Sequence, residues 1–105
     1  MTGQFTVVET DEEKGTAVIS LEGDLDYSIY TGFKRAIHDL VEKGMVNITY
    51  DVSKMTAIPS LGLGIIMWSH VELQNRGGKI TILGANDQIK RVFTATQLDT
   101  LVTVL

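Results

Sequence analysis

Val46, Ile48, Tyr50 and Val52 alternate with Asn47, Thr49 and Asp51, and then the period changes: residues 61–75 are apolar nearly all round, followed by Gly77-Gly78 and a second β-rich run at residues 79–83. A period of two, then a helix-length apolar stretch, then another strand is the pattern of a β-α-β unit. Strands joined through a helix need a crossover connection, so they run parallel and the helix packs on a sheet face. The stretch thus commits the chain to an α/β sheet. The polar alternates Asn47, Thr49 and Asp51 add that the second face is less covered, because a strand sandwiched between two helical layers reads as a continuous apolar run.

The flanking segments extend this unit. Residues 4–10 are rich in β-formers, and the charged turn Asp11-Glu12-Glu13-Lys14-Gly15 leads to residues 16–22, where Ala17, Ile19 and Leu21 alternate with Val18 and Ser20, giving two strands joined by a turn. Ile29, Phe33, Ala36, Ile37, Leu40 and Val41 form one helical face; Ser28 is placed to cap its start and Gly44 to end it in a left-handed conformation. Asn86 or Asp87 opens a last short helix with Ile89, Val92 and Phe93 on its inner face, and residues 101–105 supply a fifth strand. The predicted order is β-β-α-β-α-β-α-β within one domain spanning residues 1–105.

Charge and residue content exclude several functions. Nine Lys and Arg against thirteen Asp and Glu leave a net charge of -4 with no basic cluster, which argues against a nucleic-acid surface and for a partner with a basic face. The chain has no cysteine, hence no disulfide framework, thiolate metal site or thiol nucleophile. No apolar run approaches a membrane span and Met1-Thr2-Gly3-Gln4 lacks a secretory pattern, so the expected location is the cytoplasm, without membrane insertion. His38 and His70 fall on different predicted helices without a metal-binding pattern. Glu22, Asp24 and Asp26 lack EF-hand spacing and read by themselves as a solvated acidic loop. Gly62-Leu63-Gly64 lacks the Lys-Ser/Thr of a phosphate-binding loop, so close helix packing is the simpler reason for its glycines. Met67 and Trp68 read as core or helix-packing residues, with an adaptable binding surface as the other reading of Trp68. No cofactor is expected.

The element order, with Glu22-Gly23-Asp24-Leu25-Asp26, the segment Asp51-Val52-Ser53 through Ile58-Pro59-Ser60-Leu61-Gly62-Leu63-Gly64, Gly77-Gly78-Lys79-Ile80 and Thr96-Gln97-Leu98-Asp99, resembles the STAS domain family of bacterial anti-sigma factor antagonists. The resemblance covers almost the whole chain. It implies a mixed sheet of four to five strands with helices mainly on one face, no enzymatic activity, and partner switching. Such an antagonist binds an anti-sigma factor of the serine-kinase ATPase type, with a serine phosphatase acting indirectly, and so regulates sigma-factor-dependent transcription. A second reading is a STAS accessory subunit of a transporter ATPase complex, which needs no phosphoswitch.

In the family pattern the loop carries Ile-Asp-Ser-Ser-Gly-Leu-Gly and the second serine is phosphorylated. Ile58, Ser60, Gly62, Leu63 and Gly64 match it, whereas Pro59 stands at the aspartate and Leu61 at the phosphoacceptor. The resemblance therefore implies partner contact through Asp24, Asp26, Ser28, Thr56, Pro59, Ser60, Leu61 and Gly62, with phosphoregulation either absent or moved to Ser60. Ser60 has two readings, as the N-cap of the following helix and as an alternative phosphoacceptor. Ser53 and Thr56 are read as hydroxyls that bond their own backbone.

Overall fold

The computed structural model describes residues 4–23, 25 and 27–105. Five strands, β1 (Gln4–Asp11), β2 (Thr16–Glu22), β3 (Asn47–Lys54), β4 (Lys79–Leu83) and β5 (Thr103–Val104), form one sheet in the order β1-β2-β3-β4-β5. Three helices, α1 (Tyr30–Glu42), α2 (Ser60–Gln74) and α3 (Asp87–Ala95), make the crossovers, so β2 through β5 are mutually parallel and β1 alone is antiparallel, to β2. This is the predicted order, with two short 3-10 turns added at Tyr27–Ile29 and Leu98–Thr100.

Alternation decides which face the helices cover. Ala17, Ile19 and Leu21 of β2, Ile48, Tyr50 and Val52 of β3, and Ile80 and Ile82 of β4 are buried in one cluster with Phe33, Ile37, Ile65, Ile66, Leu73, Ile89 and Phe93 from the helices. Their alternates, Thr16, Val18, Asn47, Thr49 and Thr81, are half-buried. Thr49, Thr81 and Thr103 lie in register across β3, β4 and β5 on this open face. Threonine suits it, since its branched Cβ fits the pleat while the hydroxyl stays wet.

One polar pair is built into the core. Ser69 donates its hydroxyl to the Ile65 carbonyl at 2.7 Å, and its oxygen accepts the Tyr50 phenol at 2.6 Å. Burial pushes the phenol well above its ordinary range, which keeps it a neutral donor. A buried hydroxyl without a partner costs more than this bond contributes, so the pair fixes where α2 sits along β3. Beside it Phe33 meets Phe5 edge-on at 5.4 Å and Trp68 at 6.5 Å. Trp68 is half-buried at the contact of α1 with α2, where the Lys34 ammonium lies 4.4 Å from the Tyr30 ring and 5.4 Å from its own. Met67, expected inside, is exposed.

The element ends depart from expectation in three places. The residue capping α1 is Ile29, without a side-chain bond, because Ser28 belongs to the preceding 3-10 turn. The N-cap of α2 is Pro59, extended at ψ 165, and Ser60 is the first helical residue and not the cap. The fifth strand is two residues long because a 3-10 turn over Leu98–Thr100 and the bend after it delay the chain's entry into the sheet. Gly44 ends α1 with φ 86, and Asn86 caps α3, both as expected.

Candidate functional site

Parallel strands point their C-terminal ends to one edge of a sheet, and the loops leaving them gather there. The loops after β2, β3 and β4 do so here. The first two, with the strand ends they leave, bound a cleft of about 450 Å³ lined by Glu22, Gly23, Leu25, Lys54, Met55, Thr56, Ala57, Ile58 and Pro59.

The loop after β3 is pinned from below. Met55 and Ile58 are buried, so their side chains anchor it, and Thr56, Ala57, Pro59 and Ser60 are turned to solvent between and after them. Leu61 is half-buried, packed against the core at the second position of α2. Gly62 is buried: a Cβ there would lie 3.0 Å from Ile58 Cγ1 and 3.3 Å from Leu25 Cδ1. That contact joins the loops after β2 and β3, so close packing does account for Gly62. It does not account for Gly64, which is exposed with nothing within 4 Å of a Cβ.

Backbone and charge fix the rest. Asp51 Oδ1 accepts the Ser53 N–H at 2.9 Å. The Ser53 hydroxyl and the same N–H hold the Asp51 carboxyl below its ordinary range against the opposing effect of burial, with the Lys54 charge adding the least. Asp51 thus contributes stability that is present above the unfolded-state carboxylate range and lost as pH falls through its lowered folded value. Lys54 Nζ lies 3.8 Å from Glu22 Oε2, and Glu22 also accepts from the Gln4 side-chain amide. With the lysine largely exposed, this ion pair positions the cleft rim more than it stabilises the fold. On the other side, Asn86 Nδ2 donates to the Thr56 carbonyl at 2.9 Å.

Of the residues singled out from the sequence, Thr56, Pro59, Ser60 and Leu61 form one continuous junction of loop and helix, with Ser28 exposed in the 3-10 turn before α1. Gly62 supports this junction from inside and has almost no surface of its own. Asp24 and Asp26 lie outside the described residues. The sequence reading missed Leu25, Met55 and Ile58 as the anchors of the loop, although the spacing of Met55 and Ile58 around polar residues carries a signal. It also missed the Asn86 contact, which spans thirty positions of chain and has no local signature. Among the described residues lining the cleft there is no histidine, and the single carboxylate, Glu22, is already paired with Lys54, so no nucleophile is placed beside a base. The site offers a shaped surface of hydroxyl, apolar and backbone groups.

Comparison with known proteins gives consistent results. The family model described as STAS domain matches residues 7–104. A proposed anti-sigma factor antagonist from Thermotoga maritima superposes with a TM-score of 0.71 at 25% identity, over 96% of this chain and 83% of that one. An anti-sigma factor antagonist from Mycobacterium paratuberculosis gives 0.72 at 21% identity, over 97% and 84%. The Bacillus cell fate determinant SpoIIAA in its phosphorylated form gives 0.70 at 22% identity, over 97% and 91%. The last two likenesses are likenesses of fold. Among the described residues no helix is long and apolar enough to cross a membrane.

Proposed function

We propose, since this chain belongs to the STAS domain family, that it is an anti-sigma factor antagonist acting by protein–protein binding in the cytoplasm. It docks on an anti-sigma factor of the serine-kinase ATPase type, displaces the sigma factor held there, and has no catalytic step of its own. The observation that carries this reading is the junction of Thr56 through Leu61: exposed at its outer positions and anchored at Met55 and Ile58. A rigid surface of this kind binds without first paying to order a loop. Its charge fits as well, because a chain of net charge -4 is attracted to a basic partner face.

Regulation differs from the family pattern. With Leu61 at the phosphoacceptor position, the kinase has no hydroxyl there, and docking is constitutive unless Ser60 substitutes for it. Ser60 is exposed in the first turn of α2, where unpaired N–H groups and the helix dipole accommodate a phosphate within the domain itself. A phosphate's charge of about -2 would then fall on the partner as repulsion and desolvation.

One experiment tests both statements. Pull-down from the native cytosol is expected to recover a kinase-like ATPase, and incubating the recovered complex with ATP, followed by mass spectrometry, is expected to leave the peptide covering residues 58–64 unphosphorylated. Phosphate on Ser60 would move the switch by one residue. Recovery of a transporter ATPase with no kinase would replace the antagonist by an accessory subunit.

A further inference from the structure

Asn86 makes two hydrogen bonds that face opposite ways. Its Oδ1 accepts the N–H of Ile89 at 2.8 Å, capping α3, and its Nδ2 donates to the carbonyl of Thr56 at 2.9 Å, in the loop after β3. The chemistry fixes the orientation of the amide, because an N–H must meet the oxygen and a carbonyl must meet the nitrogen; a flipped amide would lose both bonds. The loop after β4 also touches the end of β3 itself. Gly84, with φ 78, lies so close to β3 that a Cβ on it would be 2.8 Å from Ser53 Cβ and 3.2 Å from the Ser53 backbone. The loop after β4 is therefore pressed against the end of β3, and Asn86 reaches from it to the segment that carries Pro59 and Ser60.

We propose that Asn86 is the positioning residue of the Thr56–Ser60 surface. Its amide uses the capped end of α3 as a fixed post and holds Thr56 from the side that Met55 and Ile58, which anchor from beneath, do not reach. A hydrophobic anchor restricts depth but tolerates sliding and rotation, whereas a hydrogen bond to a carbonyl has direction. Together they select one loop conformation before any partner arrives. The consequence for binding rests on the docking reading above: a loop competent only part of the time weakens apparent affinity by the fraction of time it is competent.

The two halves of the amide are separable by substitution. Asn86→Ser keeps an efficient N-cap oxygen for Ile89, but its single short hydroxyl cannot also span to Thr56. Asn86→Asp likewise keeps the cap and has no N–H to donate. Amide hydrogen exchange on the isolated full chain distinguishes the roles. In both variants, peptides covering residues 55–61 are expected to exchange about fivefold faster than in the wild type, the effect of losing one neutral hydrogen bond, while peptides from α3 and β3 are unchanged. Unchanged exchange at 55–61 in either variant overturns the proposal. So does acceleration of the loop and α3 together, which is what a general loosening of the fold would give. The measurement needs no partner, so its outcome is independent of whether an anti-sigma factor is ever recovered.

Discussion

Gly78→Ala is expected to destabilise the protein by about 3 kcal/mol or more, the upper range for forcing extra atoms into a packed site. A Cβ at this position would lie 2.1 Å from the Val46 carbonyl oxygen and 2.9 Å from the Val46 carbonyl carbon. Neither side can yield cheaply. Gly78 donates its N–H to the Leu73 carbonyl at 2.9 Å, closing α2, and the next residue, Lys79, donates to Val46 O at 3.2 Å, opening the pairing of β4 with β3. Moving the backbone to admit a methyl group would break the end of a helix and the start of a parallel ladder together. For a domain of this size the loss lowers the thermal midpoint by about 12 °C or more, readable by circular dichroism with a denaturant titration alongside. Gly64→Ala is the control: it adds the same atom to a helical site with open space around it, and is expected to raise stability by up to about 1 kcal/mol. A midpoint for Gly78→Ala within a degree or two of the wild type would mean that the contact with Val46 relaxes easily.

Leu61→Asp is expected to weaken partner binding by more than about tenfold, or about 1.4 kcal/mol. Leu61 sits in the first turn of α2 between exposed Ser60 and buried Gly62, so its outer surface is continuous with Pro59 and Thr56 while its inner part packs on the core. A carboxylate there removes apolar contact area and puts a charge at the centre of the proposed interface, where desolvation is costly. Within the domain the same charge meets the positive end of the helix dipole, which offsets part of the lost packing. Affinity should therefore fall much further than stability. Calorimetric titration against the recovered anti-sigma factor, with a thermal melt of each variant, separates the two, and unchanged affinity in a folded variant would refute the placement of the interface.

The order and direction of the elements were readable because they depend on local regularities. Val46 through Val52 alternate, residues 61–75 are apolar throughout, and Gly44 and the Gly77-Gly78 pair punctuate the helices where their backbone geometry is needed. Element ends were less readable, since competing local choices differ by little energy. Ser60 is a good capping residue, yet Pro59, with its fixed φ, takes the cap position and Ser60 starts the helix. Ser28 is drawn into a 3-10 turn. The site was readable as a segment but not as a set of roles: Gly62 proved to be internal support, and the partner of Thr56 came from a loop beyond the next strand. Such a contact follows only from the way parallel strands bring successive loops to one edge.

The loop after β3 alternates between two obligations. Met55 and Ile58, with Gly62 just beyond them in α2, answer to the interior, and Thr56, Ala57, Pro59 and Ser60 turn their side chains to what lies outside. Positions of the second kind can be rewritten without asking the fold's permission, which is how a proline stands at 59 of an otherwise ordinary member of its family, whereas Leu61, packed in part on the core, answers to both sides. The vocabulary of recognition is thereby detachable from the grammar of folding, and a new partner could be specified here by editing four outward residues while every buried one keeps its place.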